Sequence, residues 1–164
     1  MSSNDTDSRR AGFRIRPAGN ADEAAIRGVL RTVRSEYGVH QDGHPADANL
    51  ADIEQHYFRA GGCFEVIEDA TGRIVGCAGL CPLSPSRVEL CKMYIQKEAR
   101  GRGLGKRLLE DLLAIARKNG FKEVWLETNS TLSEAISLYE RYGFRPVTCG
   151  QLPAQCDQAY LLKL

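Results

Sequence analysis

Between residues 98 and 110 the chain reads EARGRGLGKRLLE. Gly101, Gly103 and Gly105 stand among Arg100, Arg102, Lys106 and Arg107 and run straight into a helical pattern. Glycines at that density let a backbone bend sharply and approach a ligand closely. The first N–H groups of the helix that follows have no intrahelical partners, and its dipole favours negative charge at that end. Basic side chains add mobile positive charge around the same point. Chemically this is a cradle for a diphosphate.

Two phosphate-binding patterns come close and fail. A Walker A loop needs GxxxxGK followed by Ser or Thr. Here the interval from Gly101 to Gly105 is one residue short, and Arg107 occupies the hydroxyl position. The dinucleotide fingerprint GxGxxG follows a chain's first strand, whereas the spacing here is GxGxG in mid-chain.

The elements that must hold the loop follow from periodicity. FRIRPA alternates and stops at Pro17, predicting a strand over 13–16, and Asp22 precedes a helix over 23–37 ended by Gly38. Residues 39–46 read as a loop, and DANLADIEQHYFRA as a second short helix stopped by Gly61 and Gly62. CFEVIED and RIVGCAGLCPL form a hairpin about the turn DATG, and RVELCKMYI at 87–95 is the next strand. The glycine turn opens a helix to about Asn119, with Leu104, Leu108, Leu112, Ile115 and Ala116 as its apolar stripe. FKEVWLET, LSEAISLYERY, FRPVTC and DQAYLLKL complete a β-α-α-β-β-β-α-β-α-β-β order. The fold class is α/β, an α+β mixed sheet with helices on its faces. It forms one domain over 13–164 behind a polar tail at 1–12 that is expected to be disordered.

Composition bounds the function. The chain has 164 residues, and its 22 basic and 21 acidic side chains nearly cancel. No global field therefore draws it to nucleic acid or membrane, and any anion site is local. No apolar run reaches the ~20 residues of a membrane helix, and the start resembles no signal peptide, so a cytoplasmic location is expected. Cys63, Cys77, Cys81, Cys91, Cys149 and Cys156 lie mostly in apolar runs, without CxxC pairing or a histidine at ligand spacing. They read as reduced, small hydrophobes rather than metal ligands. His40, His44 and His56 read as surface or loop residues.

The pattern Arg100-x-x-Gly103-x-Gly105 after ELCKMYI resembles the pyrophosphate loop of the GNAT superfamily of N-acetyltransferases. ETNSTLSEAISLYERYGF resembles that family's later strand–helix segment, and the element order follows the family over nearly the whole folded chain. The resemblance implies a central twisted sheet with a cleft where two strands splay. In it Met93, Tyr94 and Ile95 offer backbone groups to the pantetheine arm of acetyl-CoA or coenzyme A. The N–H groups of Arg100, Gly101, Arg102, Gly103, Leu104, Gly105 and Lys106 hold its pyrophosphate. No metal is implied.

The implied reaction moves an acetyl group to a primary amine by direct attack. An alkyl amine of pKa ~10.4 is only about one part in a thousand neutral near pH 7.4, a deficit of ~4 kcal/mol, so a base is required. By resemblance Glu89, four residues before Met93, is that base. Strand alternation would place Glu89, Cys91 and Met93 on one face. Tyr139 matches the family tyrosine beside the coenzyme sulfur and is the expected acid. The Met93 N–H is the expected donor to the thioester oxygen, a contact typically worth ~3 kcal/mol. Many members carry an asparagine where this chain has Leu132, and Asn129 stands in for it.

The acceptor is expected to meet the loop between the first two helices, where Glu36, Asp42 and Asp47 offer negative charge, and the run CGQLPAQCDQAY. A small amine, an amino acid, a polyamine, or a protein lysine or N-terminus all remain open, as does a homodimer. Three rival readings are a non-catalytic CoA-binding sensor, an enzyme using another acyl-CoA, and a nucleic-acid-binding domain. The last is disfavoured by the balanced charge.

Overall fold

The computed structural model describes residues 12–38 and 43–164. The polar tail up to residue 11, His40 and Asp42 lie outside the described residues. A seven-stranded sheet runs through the molecule. Its strands are β1 (Arg14–Pro17), β2 (Cys63–Glu68), β3 (Ile74–Pro82), β4 (Arg87–Ile95), β5 (Glu123–Thr128), β6 (Arg145–Val147) and β7 (Gln158–Lys163). Spatially they are ordered β1-β2-β3-β4-β5-β7-β6. Neighbours pair antiparallel except β4 with β5, which run parallel. The helices are α1 (Glu23–Glu36), α2 (Leu104–Lys118) and α3 (Ser133–Arg141).

Two hydrophobic cores lie on opposite faces of the sheet. Ile26, Val29, Leu30 and Val33 of α1 pack with Leu50, Ile53, Tyr57 and Phe64 on one side. Leu108, Leu109, Leu112 and Ala116 of α2 pack with Val88, Leu90, Val124, Leu126 and Tyr139 on the other. The i, i+3, i+4 spacing of the α1 and α2 sets makes one apolar stripe per helix, which fixes the face each presents.

The second predicted helix takes another form. Pro45–Asp52 is 3₁₀ and Glu54–Phe58 is a π turn. Asp47, Leu50 and Ile53 are buried at three-residue intervals, the period at which a 3₁₀ turn stacks side chains on one side. The hairpin turn is as predicted, with Asp69 Oδ1 accepting from the N–H groups of Thr71 (2.9 Å) and Arg73 (3.0 Å). Among the described residues no helix is long and apolar enough to cross a membrane. All six cysteines are free thiols, with Cys63 and Cys77 buried and the other four half-buried.

Candidate active site

The glycine turn sits where β4 ends and α2 begins. Gly101 and Gly103 have φ of 72° and 73°, the left-handed region that favours glycine, and Gly103 caps the helix. The first ladder bond runs from the Arg107 N–H to the Gly103 carbonyl (3.1 Å). The N–H groups of Leu104, Gly105 and Lys106 therefore have no acceptor within the helix. A Cβ on Gly105 would stand 3.4 Å from Ile95 Cδ1 and 3.9 Å from Met93 Cε, filling the space between helix and strand.

The basic side chains around the turn have partners of their own. Arg100 donates from Nε to the Ile95 carbonyl (2.7 Å) and from Nη1 to Glu36 (2.8 Å), bracing the turn against β4 and α1. Arg102 lies over the Phe13 ring, 5.3 Å from its centroid. Lys106 and Arg107 reach along α2 to Glu110 and Asp111, each at 3.9 Å. The positive end of the site is chiefly backbone N–H and helix dipole.

Parallel pairing of β4 with β5 spans only Arg87↔Glu123, Val88↔Val124 and Glu89↔Trp125. Past Glu89 the two strands part, leaving the edge of β4 over Leu90–Ile95 without a strand partner on that side. The cause lies within β4. Gly79 pairs with Cys91 and Cys77 with Tyr94, so Lys92 and Met93 together oppose Ala78. Lys92 has φ 53°, the one described non-glycine residue with positive φ. This bulge corrects the expected alternation. Cys91 and Tyr94 pack on the α1 side, whereas Met93 and Ile95 turn to the α2 side. Glu89 and Met93 therefore do not share a face.

A cavity of about 660 Å³ fills the gap. Met93, Tyr94, Ile95, Arg100, Gly101, Gly103, Leu104, Gly105 and Lys106 line it at the helix end; Glu89, Cys91, Glu127 and Cys156 line it at the other, and Tyr139 belongs to it as well. Arg102 does not line it. Tyr139 is 6% exposed, and burial raises its phenol above the usual range. Among the described residues nothing accepts from its hydroxyl. Glu89 is pushed above the ordinary carboxylate range by burial and then by the charge of Glu127, with Lys92 opposing. Burial also pushes the Cys91 and Cys156 thiols up, to about 12 and about 11, so they stay protonated at neutral pH.

Glu127 is absent from the sequence reading. Its only hydrogen bond among the described residues is from Trp125 Nε1 (3.2 Å). The signal was present in WLETN: alternation gives Glu127 the face of Trp125, and parallel pairing beside β4 gives that face to Glu89.

The cavity walls correct the expected acidic attraction. Glu36 is bonded to Arg100. Asp47 is 5% exposed and accepts from both terminal nitrogens of Arg34, one at 3.0 Å. Lys92 Nζ donates to the Ala46 carbonyl (2.7 Å) and lies 3.9 Å from Asp47 Oδ1, so the bulge staples this wall to β4. His44, read as a surface or loop residue, lines the cavity, and its Nε2 lies 3.1 Å from Gln155 Oε1 on the opposite wall. His56 is exposed. Asn129 lines the cavity: one Nδ2 hydrogen goes to the Gln155 carbonyl (3.0 Å), and Oδ1 accepts from Thr131 N–H (3.0 Å) and Oγ1 (2.7 Å). Leu132 adds apolar surface to the same wall.

A splayed parallel strand pair with a glycine-turned helix N-terminus at its mouth defines a class, the acyl-CoA-dependent acyltransferases. The family model for GNAT acetyltransferases matches residues 28–144. The chain belongs to that family and is an acetyl-CoA-dependent N-acetyltransferase. It is 41% identical over 131 residues to the uncharacterized N-acetyltransferase YjgM of Escherichia coli K12, covering 77% of this chain and 78% of that one. It is 30% identical over 118 residues to the uncharacterized N-acetyltransferase C1271.07c of Schizosaccharomyces pombe, covering 71% and 72%. In fold it is similar to yncA of Salmonella typhimurium, a structure with its cofactor acetyl-CoA, at TM-score 0.74, 22% identity and 93% and 94% coverage. A GNAT-family acetyltransferase from Staphylococcus aureus Mu50 gives TM-score 0.84 at 22% identity, with 92% and 98% coverage.

Proposed function

We propose that the enzyme acetylates a primary amine by direct attack within a ternary complex with acetyl-CoA. The observation that carries this is the single cavity running from the free N–H groups of Leu104–Lys106 to the Glu89 carboxylate, with the Tyr139 phenol on its wall. Acetyl-CoA supplies an acyl carbon activated by its thioester. The unpaired N–H groups suit the pyrophosphate, and the open edge of Met93–Ile95 suits an extended arm laid beside it as an added strand. The Met93 N–H stabilises the carbonyl oxygen as it gains negative charge.

Glu89, through a water, takes the proton that the ammonium must lose. The nitrogen lone pair then forms the N–C bond, the C–S bond breaks as Tyr139 gives its proton to the departing sulfur, and the second proton lost by the nitrogen restores the phenol. The phenol's raised pKa keeps that proton in place until the thiolate develops. Amide, free thiol and one released proton balance the reaction. Asn129 holds the wall through one Nδ2 hydrogen and its Oδ1, leaving the second Nδ2 hydrogen for the coenzyme arm.

Thermal melts test the donor site. A ligand at a hundred times its Kd stabilises by ~2.7 kcal/mol, raising Tm by roughly 5–10 °C at this size. Acetyl-CoA and CoA should shift the melt and ATP should not; a shift with ATP alone sinks the reading. The base is tested by pH. Activity should fall at low pH with a limb above the ordinary glutamate range, because burial and Glu127 both favour the protonated form of Glu89. Glu127→Gln removes one of those influences and should move the limb to lower pH. Glu89→Gln should abolish it, and a limb that survives in Glu89→Gln places the base elsewhere.

A further inference from the structure

We propose that the acceptor is a small amine bearing at least two positive charges and no carboxylate, met by Glu89 and Glu127 together. The inference rests on the acetyltransferase reading above and names the substrate class of that site.

The charge inventory of the acceptor end carries it. Two carboxylates from neighbouring strands face the gap where β4 and β5 part, close enough that Glu127 acts on Glu89. Cys156, on the facing wall, feels both. Neither carboxylate forms an ion pair among the described residues. The cations at this end, Arg34 and Lys92, line the cavity but are bonded to its wall. Arg34 is bound through two nitrogens to Asp47, and Lys92, with its side chain 7% exposed, donates to the Ala46 carbonyl. His44 has both ring nitrogens engaged: Nδ1 accepts from the Ala46 N–H (3.1 Å) and Nε2 faces Gln155.

An amino-acid acceptor would bring its carboxylate beside Glu89 and Glu127, where Arg34 and Lys92 are already bonded to the wall. Its desolvation would go uncompensated. A dication reverses the balance: one ammonium gives its proton towards Glu89 and becomes the nucleophile, while the second charge stays with Glu127. The His44–Gln155 contact links the two walls and confines the acceptor to small molecules.

Three probes isolate the charges. 1,5-Diaminopentane has the required pair; pentylamine lacks the second ammonium, and lysine adds a carboxylate to the same chain. The proposal expects kcat/KM for the diamine to exceed both others by about 10- to 100-fold, the range for hydrogen bonds to charged groups. In Glu127→Gln the advantage over pentylamine should collapse to within about threefold, with Glu127→Asp retaining more of it. The readout is a ratio, which a general loss of fold does not move. Lysine turned over as well as the diamine overturns the proposal, and so does a diamine preference that survives Glu127→Gln. If acetyl-CoA raises Tm but no diamine is acetylated, the substrate class is wrong while the donor site stands. If acetyl-CoA gives no shift, the acetyltransferase reading falls and takes this inference with it.

Discussion

Replacing Tyr139 by phenylalanine is expected to lower kcat by about 10²- to 10⁴-fold, the usual contribution of a positioned acid. The affinity for acetyl-CoA should stay within about threefold, because in the proposed acid role the phenol acts on a charge that appears only as the C–S bond breaks. Stability should barely change. Nothing among the described residues accepts from the hydroxyl, so its removal breaks no bond, and the ring keeps its packing against Phe144 at 5.7 Å between centroids. The diagnostic is the split: low turnover, unchanged coenzyme binding and an unchanged melt. A Tyr139→Phe enzyme at full rate with a good acceptor would mean that the thiolate leaves unprotonated or takes its proton from another group.

Asp47→Ala should destabilise the fold by about 3–5 kcal/mol, the cost of removing one partner from a buried charge set. Asp47 and Arg34 have side chains only 7% and 15% exposed, and Lys92, at 7%, leans on the same carboxylate. The substitution strands two covered cations beneath the cavity wall. Burial alone would raise the Asp47 pKa, but the Arg34 hydrogen bonds and the charges of Arg34 and Lys92 outweigh it and hold the carboxyl below its usual range. A carboxylate with a depressed folded-state pKa stabilises above its unfolded value, about 4, and loses that contribution as pH falls through the folded value. Denaturant unfolding at pH 7 and at pH 3 checks both parts. The gap between wild type and Asp47→Ala should be wide at pH 7 and narrower at pH 3; a gap of under about 1 kcal/mol at pH 7 would show that the set contributes little.

The same residues show where sequence reading stops. Asp47 looked like a surface attractor for a cationic amine because it stands in a polar, turn-rich loop. Its partner Arg34 lies on α1 and its other neighbour Lys92 on β4, and no local pattern reports a pairing across that separation. Glu36 was read the same way and is consumed by Arg100. The loss of both moves the acidic end of the pocket to Glu89 and Glu127, one expected and one missed.

What the sequence determined by itself is everything with a short repeat or a local steric signature. The period-two runs, the apolar stripes of α1 and α2, the hairpin about Asp69 and the glycine-turned helix start at Gly103 depend on neighbours within a few residues. Their order along the chain was therefore enough for the fold and for the glycine-turned mouth of the cavity. The tertiary structure alone decided three things. One is the bulge at Lys92, which resets the phase of β4 and sends Met93 to the opposite face from Cys91. The second is the parting of β4 from β5 after Glu89, which opens the cavity and exposes Glu127. The last is which charges are spent on the walls and which face the cavity. Each depends on pairing between distant segments, where one inserted residue or one buried partner reverses what strand periodicity and side-chain charge imply.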